Sequence, residues 1–201
     1  RDVSLPIIFM NSAYLAIPVN TIFFGDAGTF YSVMYNVTIL VLHFSIGVWI
    51  VSGSLKEIFC LPILYAAGLG IFMNLTGIKP TAVLVQFSKM LNAVTLPVML
   101  CLVGYQIKSI SFVLPGGLKK VFVGVFIRMV GGFFVAFSFC EVLGITGAVR
   151  VVCLLSSSMP SAVNTYILTK RYGADFSFAS SMIVIGLIMS LILIPVVLWM
   201  L

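Results

Sequence analysis

Acidic side chains are nearly missing from this sequence. Five occur, at Asp2, Asp26, Glu57, Glu141 and Asp175, and each falls in an expected loop or at the end of an apolar run. No HExxH, no GxSxG and no pair of acids at catalytic spacing is present. Those absences remove the nucleophile–base and metal–base constellations on which an intramembrane enzyme would rest. Histidine occurs once, as His43. The cysteines Cys60, Cys101, Cys140 and Cys153 are scattered through apolar segments without a CxxC pair. They are read as small hydrophobes, with no disulfide, metal or cofactor expected. No basic, apolar, small-residue leader opens the chain, and Arg1-Asp2 at its front makes it look like a piece of a longer protein.

Charge of either sign is scarce. Charged residues make up 8% of the sequence and apolar ones 62%, with a mean hydropathy of +1.25. A soluble domain is closer to half apolar and about a quarter charged. The solvent for this chain is therefore lipid. The net charge of +6 is not a nucleic-acid signal, because the cations sit mostly in short loops between apolar runs and read as topology signals.

What remains is apolar sequence, interrupted at regular intervals. A spanning helix needs about 20 apolar residues, and seven segments qualify, near 4–24, 28–51, 58–77, 81–106, 114–141, 146–169 and 174–201. By alternation, one side of the membrane collects Arg1, Lys56, Lys108, Lys119, Lys120, Lys170 and Arg171. The other collects Lys79 and, near its edge, Arg150. The positive-inside rule puts the first group in the cytoplasm. Short connections and the lack of linkers predict one all-α membrane domain.

Two stretches share an unusual set of residues. The first holds Pro18, Asn20 and Thr21, followed by Gly25-Asp26. The second holds Pro160, Asn164 and Thr165, followed by Gly173-Ala174-Asp175. Proline removes a backbone donor and breaks a helix, and the freed groups are tolerated at membrane depth only when buried in protein or lining a cavity. Paired interruptions at corresponding places point to a transporter's binding site. They fall in the first and sixth segments, which run in opposite directions. Residues 1–51 then read as the last two helices of a first repeat, and residues 52–201 as a complete five-helix second repeat.

At these residues the chain resembles the auxin efflux carrier (AEC) family of membrane transporters. The resemblance runs through Phe9-Met10-Asn11-Ser12-Ala13-Tyr14-Leu15-Ala16-Ile17-Pro18 and Phe24-Gly25-Asp26-Ala27-Gly28. It continues in Pro62, Gly77-Ile78-Lys79-Pro80, Leu96-Pro97 and Val103-Gly104. It closes with Met159-Pro160-Ser161-Ala162-Val163-Asn164-Thr165-Tyr166 and Tyr172-Gly173-Ala174-Asp175. The resemblance implies a ten-helix carrier of two inverted five-helix repeats, with two broken helices crossing near the midplane at Pro18 and Pro160. Seven of the ten helices would be present, the first three lying upstream. It further implies transport of an organic anion, malate-like or auxin-like. The short join around Lys56 favours the compact bacterial type, and so the bacterial inner membrane.

Asn11, Asn20 and Asn164 lie in or beside the breaks. With the freed amides near Pro18 and Pro160 they are candidates to hydrogen-bond a substrate, since half-helix N-termini present partial positive charge to an anion. Their other reading is as helix caps. Lys89 and Arg128 fall within spans, where a cation costs about 2.5–3.5 kcal/mol on insertion scales. No helix of this chain offers a mid-membrane carboxylate to meet Arg128, which suits an anionic substrate. Lys89, flanked by Gln86 and Asn92 on one helix face, either joins a polar stripe or snorkels to the interface. His43 either relays protons or bonds a neighbouring helix.

The sequence therefore predicts a secondary carrier for a small organic anion, working by alternating access, with a proton or sodium ion as coupling partner and a homodimer as an admissible assembly. A sodium-coupled carrier of bile-acid-transporter-like fold and a seven-helix receptor are the alternatives.

Overall fold

A computed structural model describes residues 4–52, 62–109 and 117–200. Arg1, Asp2, Lys56, Glu57 and Cys60, and with them the expected join around Lys56, lie outside the described residues. The helices are α1 (Ser4–Ile8), α2 (Ala16–Leu42), α3 (Val48–Ser52), α4 (Pro62–Thr76), α5 (Ala82–Ser109), α6 (Leu118–Phe126), α7 (Gly132–Val142), α8 (Gly147–Ser157), α9 (Val163–Arg171) and α10 (Phe176–Met200). One π-helical turn, His43–Gly47, joins α2 to α3, and another, Ile127–Gly131, joins α6 to α7. Among the described residues the only β-type pairing is an isolated antiparallel bridge between Met10 and Ser161.

Among the described residues three stretches are long and apolar enough to cross a membrane: Ala16–Ile50, Leu118–Val142 and Phe176–Met200. The first is sharply bent. Gly25 takes φ 60° and ψ −144°, a conformation open to glycine because it has no Cβ. Across that bend the hydroxyls of Thr21 and Thr29 lie 2.7 Å apart, although eight residues of straight helix would separate them by about 12 Å. A Cβ on Gly28 would overlap the Asn20 carbonyl. The boundary expected between the first two segments lies on this bend.

The first segment also differs from expectation at its start. Instead of one helix over 4–24, the chain forms the short α1, unwinds over residues 9–15, and re-enters helix at Ala16. Pro18 therefore sits in the first turn of α2, where its missing N–H has no intrahelical partner to lose. It starts a helix, and the break lies upstream of it.

The core surrounds this unwound stretch. Val121, Val125 and Met129 pack against Phe178, Met182 and Ile185, joining α6 to α10. Leu5 and Phe9 meet Val48, Ala162 and Leu168. Met10 and Ala16 meet Leu155, Met159 and Val197. Large apolar side chains such as Phe134, Phe139, Leu191, Ile192 and Trp199 stay exposed, as suits a protein whose solvent is hydrocarbon.

Candidate functional site

Two unwound segments meet inside the bundle. The second, residues 158–162, separates α8 from α9, because Pro160 can neither donate to the helix ladder nor tolerate helix before it. The first runs beside it in the opposite direction. Asn11 N donates to Pro160 O at 2.7 Å, and Ala162 N donates to Phe9 O at 3.0 Å. Ser161 Oγ donates to Pro6 O at 2.5 Å. Each segment thus supplies backbone partners that the other's broken helix has lost, which answers the requirement for satisfied main chain away from water.

Arg128 closes the back of the crossing. Its Nη1 donates to Ile7 O at 3.1 Å and Ile8 O at 2.5 Å, and its Nη2 donates to Ser157 O at 2.8 Å. These carbonyls end α1 and α8, where the helix ladder leaves acceptors unsatisfied and the dipole favours a cation. The Nη atoms of the guanidinium are compensated by main chain, with no carboxylate partner among the described residues, while its buried Nε has no partner there. It reaches that position because Gly132 has no side chain: a Cβ there would overlap both the guanidinium and the Ser157 carbonyl.

The front of the crossing is a cavity of about 280 Å³ whose polar lining includes Asn11, Ser12, Tyr14, Asn36, His43 and Asn164. None of its described lining residues is charged. Asn11 Oδ1 accepts from Tyr14 N at 3.0 Å, and Asn36 Oδ1 accepts from Ser12 Oγ at 2.9 Å. With both oxygens engaged, the Nδ2 donors of Asn11 and Asn36 remain without a partner among the described residues, as does the whole side-chain amide of Asn164. The wall is completed by Ala162, Val163 and Asn164, the start of α9, which has no side-chain cap. The first amides of a helix have no partner on the preceding turn; here Thr165 N donates to Ala162 O at 3.0 Å.

Residues 46–199 match the family described as membrane transport protein. The chain belongs to this family, the auxin efflux carriers that its motifs resemble. It is a family of membrane transporters and not of enzymes. The chain is also similar to an uncharacterized transporter of Methanothermobacter thermautotrophicus, 27% identical over 193 residues, which takes in 92% of this chain. It spans 63% of that relative's length. No solved structure matches it.

In this chain the predicted site residues fall into three groups. Asn11, Pro160 and Asn164 come together at the crossing, the two asparagines in the cavity wall. Pro18, Asn20 and Arg128 are buried and are not among the residues that line the cavity. Asn20 is fully buried, its Nδ2 donating to Ala16 O at 2.9 Å and Ser156 Oγ at 3.1 Å, so it ties α2 to α8. Lys89 stands apart on α5, exposed, beside Thr29, Pro80 and Ser88 at a separate shallow cavity of about 420 Å³. Gln86 is exposed on the same helix, and the side chain of Asn92 lies outside the described ones.

Sequence reasoning missed Asn36 and gave His43 no neighbours. Both line the cavity. A usable signal was present: they are two helical turns apart in an apolar segment, and so share a face.

Proposed function

We propose that this transporter is a secondary carrier for a small organic anion, and that the substrate binds in the cavity at the crossing of the two unwound segments. One observation carries the reading. Three side-chain amides with unused N–H donors, on Asn11, Asn36 and Asn164, share one cavity wall with the uncapped start of α9. Hydrogen bonds to a charged acceptor are worth roughly 1.5–3 kcal/mol each, and three unused amide donors at one cavity with no carboxylate among its described lining residues suit a carboxylate ligand.

The chain fits a carrier of two inverted five-helix repeats, with residues 1–51 closing the first repeat and residues 52–201 forming the second. Its broken helices are α1 with the start of α2, and α8 with α9. Alternating access follows if these crossed elements rock as a unit against the remaining helices, exposing the cavity to each side in turn. The bacterial inner membrane remains the expected location.

The test is uptake of labelled organic acids by vesicles containing the full-length carrier, with Asn11→Ala and Asn164→Ala alongside. Saturable uptake that either substitution weakens supports the reading. Equal uptake by correctly folded variants sinks it.

A further inference from the structure

His43 is the buried group that this donor array does not use. It sits at the start of the π-helical turn His43–Gly47, a local distortion found often at functional sites. Its ring stacks on Phe9 with centroids 4.2 Å apart and planes at 9°, and Gly47 leaves room for that ring, since a Cβ there would crowd Phe9. Phe9 is also the residue whose carbonyl pairs with Ala162 at the crossing. The imidazole is thus fixed to the crossing by packing, yet it makes no hydrogen bond with any described residue. Its Nε2 is both buried and without a partner. A buried polar atom left unpaired is costly and calls for an explanation.

The surroundings supply one. Asn11, Asn36 and Asn164 are neutral donors, and no cation is among the described residues that line the cavity. The Nη atoms of Arg128 are engaged by main-chain carbonyls, and Arg128 is not among the described lining residues of the cavity. From the unwound segment Tyr14 lines the same cavity, but a phenol supplies no positive charge. From the end of α9, Tyr172 packs at the edge of the cluster around Phe9, with Arg171 over its ring. No other titratable side chain among the described residues lines the cavity. A carboxylate entering this site would therefore bring an uncompensated charge into a low-dielectric interior.

Resting on the carrier reading above, we infer that His43 carries one proton with each substrate, so that the transported species is a monocarboxylate moved with a single proton and no net charge. A proton from one aqueous phase binds the free ring nitrogen, giving an imidazolium with two N–H donors. The carboxylate binds beside it, the asparagine amides hold the remaining lone pairs, and the pair is neutral. On the far side the anion and the proton both leave to water. No covalent bond forms, and the imidazole returns to its starting state. A dicarboxylate would leave one charge unmatched, so the cavity discriminates against it.

The experiment uses vesicles of the full-length carrier and labelled lactate and malate, with the signal of protein-free vesicles subtracted. For the unmodified carrier, a one-unit pH step, acid outside, should drive lactate accumulation of about tenfold. A potassium diffusion potential set with valinomycin should leave it unchanged. In His43→Gln the carrier moves the anion alone, so uptake should follow the potential and ignore the pH step. Potential-driven uptake by the unmodified carrier overturns the inference, as does pH-driven accumulation that survives in His43→Gln. If that variant does not fold, the pH-step and potential measurements on the unmodified carrier decide alone. Saturable malate uptake without lactate uptake overturns the inference and leaves the carrier reading standing. No saturable uptake of either acid overturns both.

Discussion

Arg128 donates from Nη2 to the carbonyl of Ser157 at 2.8 Å, the last residue of α8. The same guanidinium holds Ile7 and Ile8 at the end of α1. One side chain therefore fastens the C-terminal ends of both broken helices. Among the described cations it is the most fully buried, 6% exposed, and it is tolerated because main-chain acceptors take the place of a counterion.

Replacing Arg128 by Gln should destabilise the protein by about 3 kcal/mol, because it strands buried carbonyls at two helix ends. Thermal unfolding in detergent checks this. Arg128→Lys should recover only part of the loss, since an ammonium cannot span the same fork of acceptors. A substrate-binding role alone would leave the unfolding temperature of the empty protein unchanged.

Gly132→Ala tests the same clasp from the other side. The added methyl has to displace either the guanidinium or the Ser157 carbonyl. Overpacking of this kind costs about 1–3 kcal/mol. Combined with Arg128→Gln, the penalty should be clearly less than additive, because the side chain that the methyl would meet has become shorter. Unfolding temperatures of the two single variants and the double variant give the coupling.

The sequence carried the interruptions but not their partners. Pro160 marks an unwound segment where it was expected, because a proline deep in an apolar run has few other uses. Pro18 misled by position: a proline is equally at home in the first turn of a helix, and the break instead follows Ile8, where no proline stands. What unwinds residues 9–15 is tertiary, through pairing with Pro160 and Ala162. Arg128 shows the same limit. Its lack of a carboxylate was legible, but three carbonyls from two distant segments are not written as residue types. Asn36 and His43 were legible as a shared helix face, although nothing in the chain says that the face meets Asn11 and Asn164.

That contrast between the prolines can be measured. Pro18→Ala should change stability by less than about 1 kcal/mol, since a first-turn proline gives up no intrahelical bond. Pro160→Ala removes the constraint that keeps residues 158–162 out of helix, and the position packs against Gly186. It should reduce uptake several-fold while membrane insertion persists. Uptake and detergent stability measured on both variants separate the two roles, and equal effects would refute the distinction.

The decisive chemical prediction concerns the sign of charge at Asn164. Its amide makes no side-chain hydrogen bond among the described residues and lines the cavity beside the uncapped start of α9. Asn164→Ala removes donors and should weaken apparent affinity for an organic anion by roughly tenfold, the equivalent of about 1.4 kcal/mol from a charge-assisted hydrogen bond. Asn164→Asp is nearly the same shape but offers an acceptor-only carboxylate when ionised. Near the start of a helix that carboxylate is itself favourable, so the protein should unfold no earlier than the parent. Transport should nevertheless fall much further than in Asn164→Ala, because the fixed negative charge both repels the substrate and occupies the helix donors. Uptake and unfolding temperature measured together check this: an aspartate variant that transports better than the alanine variant would mean that the cavity does not receive an anion.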